Sequence, residues 1–246
     1  MYSADFGFTG HRGNTVFKIG LDGSVEVFSQ PEKMSQGTGN AFGPDGTLYQ
    51  SSYGSGGLFA IAPDGTATVI TGDLNGPAGI AIAPDGEVFV DDCNGNRAYQ
   101  ILENGAPDIF VRHTLFQCPN GLTIDDEGNL NLANFNHGVL HMITPEGGVS
   151  VLHEFPSPLG HVEFFAGQLF ITARRDHPEY RYDLATGVVD IIACTGEPGS
   201  ADGLGSQAAI ARPNALAIGP DGTVYINHGT ATANNPTYIR AIRPVG

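Results

Sequence analysis

The sequence predicts an all-β fold, a six-bladed β-propeller with incomplete terminal blades, filling residues 1–246 as one domain. Three observations predict it. A reversal written as Pro-Asp-Gly or a close variant recurs at Gly46, Gly86, Gly128, Gly167 and Gly222, in steps of 40, 42, 39 and 55 residues. A second reversal recurs in phase with the first, at Gly23, Gly65, Gly105, Gly147 and Gly187, in steps of 42, 40, 42 and 40. Between them run short segments in which apolar residues alternate with small or polar ones, the period of a strand. Two interleaved turn series of about forty residues put four antiparallel strands in each unit, as in propeller blades.

The stretch from Gly79 to Tyr99 shows the unit most clearly: Ile80 and Ile82 alternate with alanines, Pro84-Asp85-Gly86 reverses the chain, and Val88-Phe89-Val90 starts the return. Proline presets φ in such a turn, and glycine accepts the positive φ that follows. Met1 aligns with the middle of a unit, so the first blade starts at its second strand, followed by strands at Val16–Ile19 and Ser24–Phe28. Blades two to five cover 37–74, 76–112, 118–155 and 158–194, the fifth closing with Tyr180–Leu184 and Val188–Ile192. The last unit has Leu216–Ile218, Val224–Asn227 and Tyr238–Ile242. One strand is missing at each end. This raises the expectation of a truncation upstream of Met1, or of homodimer pairing through the open edges. The 55-residue step comes from an insertion, Cys194–Arg212, rich in Gly, Ser and Asp. It ends in the helix-compatible run Ser206–Ala211 and is expected to form a peripheral surface loop or a rim.

Net charge is −15, with 11 Lys and Arg against 26 Asp and Glu. Such a chain lacks the basic face that nucleic acid requires, and it is repelled by anionic membranes. The expected ligand is a small molecule, neutral or cationic. No run reaches transmembrane length and no signal peptide is visible, so the location stays open. Cys93, Cys118 and Cys194 cannot all pair; one bridge fits a secreted form.

The motifs GIAIAPDGEVFV, CPNGLTIDDEGNL, RPNALAIGPDGTVY and GEPGSADGLGSQAAIARPN resemble NHL-repeat and SMP-30/gluconolactonase-like propellers over nearly the whole chain. The resemblance implies a six-bladed fold. It also implies a hydrolase of the lactonase or arylesterase type, acting on small esters at the channel mouth. The same fold hosts non-catalytic NHL-type binding propellers, metal-dependent lyases and phosphotriester hydrolases. The family's lactonases hold a divalent cation, calcium first, with a Glu, two Asn and an Asp placed just before innermost strands, and oxygen ligands suit such a hard ion. In this chain Asn120 matches one Asn, within Pro119-Asn120-Gly121. The other Asn position falls on Ala78 in Pro77-Ala78-Gly79, and the Asp position on Leu159 in Pro158-Leu159-Gly160. Asn214 occupies the same place in the last blade, where the family supplies no ligand. Asp91 and Asp92 are the remaining acidic metal candidates at the mouth.

Blade geometry brings residues preceding the innermost strands, and the loops between second and third strands, to one face. That face collects Asn120, Asn214, Asp91, Asp92, His137 and His228. An Asp at the position of Asp92 also serves to cap backbone N–H groups of the following loop. His228 stands where other blades have Asp or Asn, and His161 interrupts an innermost strand. A lone buried histidine is more often a hydrogen-bonded core residue. A pair at a channel mouth serves as general base and partner, so His161, His228 and His137 are the catalytic candidates. Cys118 is read either as a nucleophile or as an inert buried thiol.

Overall fold

In a computed structural model of the chain, residues 1–7, 11–194, 196–228 and 238–244 are described. Six antiparallel sheets follow one another in sequence, the blades of a six-bladed β-propeller, with 22 strands among the described residues. The first blade has three strands, β1 (Tyr2–Ala4), β2 (Val16–Ile19) and β3 (Val25–Ser29). The second has β4 (Gly37–Phe42), β5 (Leu48–Ser52), β6 (Gly57–Ile61) and β7 (Ala67–Thr71). The third has β8 (Pro77–Ile82), β9 (Val88–Asp92), β10 (Arg97–Ile101) and β11 (Pro107–Arg112). The fourth has β12 (Pro119–Ile124), β13 (Leu130–Asn134), β14 (Val139–Ile143) and β15 (Val149–Glu154). The fifth has β16 (Leu159–Phe165), β17 (Gln168–Ala173), β18 (Glu179–Asp183) and β19 (Val189–Ala193). The sixth stops at three, β20 (Leu216–Ile218), β21 (Val224–His228) and β22 (Tyr238–Ile242).

The chain divides into two compact units, Met1–Asn120 and Gly121–Gly246. In unit 1, Val16, Met34, Leu48, Phe59 and Ile61 pack the first blade against the second. Leu58, Leu74, Ile80, Val88, Val90 and Tyr99 do the same between the second and third. In unit 2, Ala133, Leu140, Leu159, Val162, Leu169 and Ile171 join the fourth and fifth blades, and Ile210, Leu216, Val224 and Ile226 lie in the core of the sixth. β9 is buried at every residue although two of them are aspartates.

The turn chemistry works as the sequence implies. Asp45, Asp64 and Asp221 each accept the backbone N–H two residues on, through Oδ1. The glycine between takes φ of +83° at Gly46, +86° at Gly65 and +77° at Gly222. Between the last two strands of each of the first five blades the register shifts by a bulge, for example at Phe59 and Tyr99. The innermost strands β4, β8 and β16 also start with a bulge, which shifts the register between Gly37 and Asn40, Pro77 and Ile80, and Leu159 and Val162. Bulges re-aim side chains and leave backbone groups to be satisfied elsewhere. This second set decides what the candidate site contains.

The insertion departs from expectation. The only helical turn at its end is the 3₁₀ turn Gly205–Gln207; Ala208 is already extended at ψ 147°. Residues 196–207 are mostly exposed, as expected of a surface loop, and burial of Ala208, Ile210 and Ala211 ties the end of the segment to the core.

Candidate functional site

Asp91, Asp92 and Asn120 belong to unit 1; His137, His161, Asn214 and His228 belong to unit 2. Each group is built up within its own unit.

In unit 1 the bulge at the start of β8 leaves the N–H of Gly79 unpaired by the ladder. Asp91 Oδ1 accepts it at 2.7 Å. Asp91 is fully buried, and its Oδ2 has no hydrogen-bond partner among the described residues. Burial dominates its titration and lifts the carboxyl from 3.8 to about 7; the Gly79 N–H opposes this, and the neighbouring Asp92 charge adds to it. Asp91 is thus a backbone support that is largely neutral below pH 7, which suits it poorly to hold a cation. Asp92 caps the next loop: Oδ1 accepts from Gly95 N at 2.9 Å, and Oδ2 lies 3.3 Å from Arg97 Nε. Its pKa is raised by burial, against the pull of those two partners.

Cys118 is bonded to Cys93 as a disulfide, which removes it as a nucleophile; Cys194 is the buried free thiol. Asn120, half-buried on β12, ends unit 1. Beside these residues lies a cleft of about 450 Å³ that sequence reasoning did not find. It is lined by Gln36, Tyr53, Ser55, Asn75 and Asn94, with Leu74 and the backbone of glycines 54, 56 and 76. Tyr53 Oη donates to Asn94 Oδ1 at 3.0 Å and so orients the Asn94 amide. A Cβ on Gly76 would fall 2.5 Å from Asn94 Nδ2, so only glycine lets that amide lie against the cleft floor. Apart from Tyr53 at the chemical margin, no lining side chain carries a titratable group.

In unit 2 the ladder corrects one alignment. Leu159 pairs with Ala173 and Val162 with Ile171, as Pro77 pairs with Asp92 and Ile80 with Val90. Leu159 therefore stands at the proline position. The residue equivalent to Ala78 is Gly160, and His161 is equivalent to Gly79. The shared Pro-x-Gly spelling hid this shift of one residue. A Cβ at Gly160 would lie 2.4 Å from Thr172 Oγ1 and 2.6 Å from the Asn214 carbonyl oxygen, so no side chain fits there.

Thr172 and Asn227 repeat the role of Asp91. Thr172 Oγ1 accepts from His161 N at 2.8 Å, and Asn227 Oδ1 accepts from Asn214 N and Ala215 N at 2.9 Å each. Asn214 is half-buried; its Oδ1 is buried and has no hydrogen-bond partner among the described residues. His137 sits exposed in the loop between β13 and β14. His228 is 2% exposed, and its Nδ1 accepts from Ala211 N at 2.9 Å. Burial first, then the Arg240 charge, lowers its pKa.

His161 has a partner that sequence reasoning missed. Its Nε2 lies 3.8 Å from Glu163 Oε2, two residues along β16. Water reaches 37% of the Glu163 side chain, yet the surrounding protein strips enough hydration to raise its carboxyl to about 8. The available signal was positional: by register Ala41, Ala81 and Ala217 are its equivalents, all uncharged.

The metal set that the resemblance implies does not fit these residues. Of its positions, Asn120 supplies an oxygen, Ala78 is a buried methyl and Gly160 has no room for a side chain. Among the described residues no group of three or more His, Cys, Asp or Glu is arranged to hold a metal ion. Nor, among them, is any helix long and apolar enough to cross a membrane.

The region described as SMP-30/gluconolactonase/LRE-like matches residues 27–175. No curated protein sequence matches the chain. Among solved structures, a nidogen/laminin complex is similar with a TM-score of 0.73 at 17% identity, over 88% of this chain and 83% of the other. A catalytically inactive virginiamycin B lyase from Staphylococcus aureus with quinupristin gives 0.70 at 18%, over 98% and 83%. A streptogramin B lyase gives 0.67 at 16%, over 100% and 88%. At these identities the likeness shows the shared fold.

Proposed function

We propose that this chain, which belongs to the SMP-30/gluconolactonase/LRE-like family, is a non-catalytic binding propeller for a peptide or protein partner. One observation carries the reading: three of the candidate side chains, Asp91, Asp92 and His228, and Asn227 beside Asn214, are already committed to the protein's own backbone. Asp91 holds Gly79, Asp92 holds Gly95, Asn227 holds Asn214 and Ala215, and His228 holds Ala211. A group that accepts a buried N–H leaves that N–H orphaned if it turns to a substrate, at a cost of about 1–3 kcal/mol. The cleft of unit 1 supplies what a binding surface needs. Its amides from Gln36, Asn75 and Asn94 both donate and accept, matching an extended peptide backbone, and it presents no charge to an acidic or basic partner. The solved nidogen/laminin complex, an assembly of proteins, is in keeping with this use of the fold.

Selection from a random peptide library displayed on phage tests the reading. Enriched peptides are expected to lose affinity at least tenfold against Asn94→Ala and Asn75→Ala, and to bind His161→Ala unchanged. Absence of enrichment, or enrichment indifferent to both asparagine variants, overturns it.

A second reading, an ester or lactone hydrolase, is favoured by the His161–Glu163 pair. His161 takes a proton from water as it attacks the ester carbonyl, and Glu163, protonated below about pH 8, gives its proton to the leaving oxygen. Lactones, aryl esters and phosphotriesters, assayed with calcium and with chelator, decide between the readings. Turnover that disappears in both His161→Ala and Glu163→Gln establishes the second reading and displaces the first.

A further inference from the structure

Three consecutive backbone N–H groups at the end of the insertion are received by side chains rather than by a ladder. Ile210 N donates to Cys194 Sγ at 3.4 Å, Ala211 N to His228 Nδ1 at 2.9 Å, and Arg212 N to His177 Nδ1 at 3.1 Å. Upstream, the Arg240 guanidinium of β22 binds the carbonyl oxygens of Ala209 and Ala201 and the carboxylate of Asp202. The segment thus lies across unit 2 as a strap. Its end is buried, with Ile210 and Ala211 at 2% exposure against Cys194 at 5%.

We propose that the segment 196–212 is an acid-released strap, held closed by His177 and His228 in their neutral form. A ring whose Nδ1 accepts a hydrogen bond carries its proton on Nε2. A second proton goes to Nδ1, the atom facing the backbone N–H, and turns the bond into two opposed donors. It also adds positive charge where positive charge already stands. Arg240 faces His228. Arg212 faces His177, with two opposing acids, Asp176 on the same loop and Glu197 in the insertion. Arg174 and Arg175 lie on the loop that carries His177. Glu179, buried on β18, has its carboxyl pushed well up from the usual range by burial, with Cys194 adding to the effect.

Both histidines are displaced downward from their ordinary value, by burial first. The folded, strapped state therefore binds fewer protons than the released one, and the strap weakens as pH falls below about 6.5. Backbone strain favours release. Cys194, His177 and Arg212 sit at φ of +85°, +68° and +51°, left-handed conformations that non-glycine residues keep only while their contacts hold them.

Hydrogen–deuterium exchange of the whole protein tests the proposal. Peptides covering 205–214 are followed at pH 7.5 and 5.5, with each time course scaled for the intrinsic chemical exchange rate. Protection there is expected to fall at least tenfold at pH 5.5, while peptides from β17 and β18 keep theirs. Asparagine places Oδ1 near the site of the histidine Nδ1 and does not titrate, so His177→Asn with His228→Asn is expected to hold protection level across the two pH values. Equal protection of the wild type at both pH values, or an equal fall in the double variant, overturns the strap. Nitrogen-15 spectra of the wild-type histidines give a test that needs no variant. Both rings are expected as the Nε2–H tautomer at pH 7.5, and either one found as Nδ1–H refutes the geometry.

Discussion

Replacing Asp91 by asparagine exchanges an acid for an amide at a site where only one oxygen has a partner. Asn227 already does the same work in the sixth blade, accepting two N–H groups through Oδ1, so the amide is compatible with the bulge it must support. The difference between the two residues is the charge. A carboxyl moved from 3.8 to about 7 by burial binds its proton more tightly in the folded state than in the unfolded chain. Stability is then full below pH 3.8, declines as pH rises through the window from 3.8 to 7, and levels off above it. The size follows from about 1.36 kcal/mol for each pH unit of displacement, or ~4 kcal/mol across the window. The amide variant lacks this loss. At pH 4 the two proteins are expected to melt together to within about 1 kcal/mol, since a protonated acid and an amide both leave a donor beside the empty Oδ2 position. At pH 8 the variant is expected to be more stable, with a melting temperature roughly 8–16 °C higher for a chain of this size. Thermal melts every half pH unit from 4 to 8 measure the difference, and titrating groups not coupled to Asp91 cancel in the comparison. Parallel curves, or a variant less stable at pH 8, refute the assignment of Asp91 as a buried, backbone-bound acid.

Other outcomes follow from the same geometry. Asp91→Ala removes the acceptor of Gly79 N–H and is expected to be about 1–3 kcal/mol less stable than Asp91→Asn by urea titration at pH 5, neither variant carrying the acid. Removing the Cys93–Cys118 bridge with paired serines opens a loop of 25 residues and is expected to cost ~3 kcal/mol, seen as a lower melting temperature that reducing agent no longer changes. Gly160→Asp restores the acidic residue at the register-equivalent position, yet its Cβ meets Thr172 Oγ1 and the Asn214 carbonyl. It is expected to destabilise by about 1–3 kcal/mol and to bring no calcium binding by calorimetry. Leu159→Asp, with a wholly buried side chain, is expected to be worse, since it places a charge among apolar neighbours.

Periodicity alone determined the blades of this protein. A turn needs particular residues at its corner: a proline or small residue, an Asp or Asn whose oxygen reaches two residues on, and a glycine free to take positive φ. These are local requirements, so Asp45-Gly46 and Asp221-Gly222 announce their turns without any knowledge of the rest of the chain. The missing strand of each terminal blade was legible for the same reason. What each polar side chain does was not local. Asp91, Thr172 and Asn227 look unrelated in sequence, yet all receive N–H groups from the start of an innermost strand twelve or so residues earlier, released by a bulge in the case of Asp91 and Thr172. The bulge is also why Leu159 was misplaced by one: pairing, not spelling, decides which residue faces which. Glu163 and His161 became a pair only because a strand sets residues two apart on one face, and their electrostatics depend on how much protein encloses them. The roles of His177 and His228 depended on a segment more than thirty residues from one and about seventeen from the other, brought to them by the burial of Ile210 and Ala211. Hydrogen-bond acceptors are generic in sequence, and only packing decides which donor each one meets.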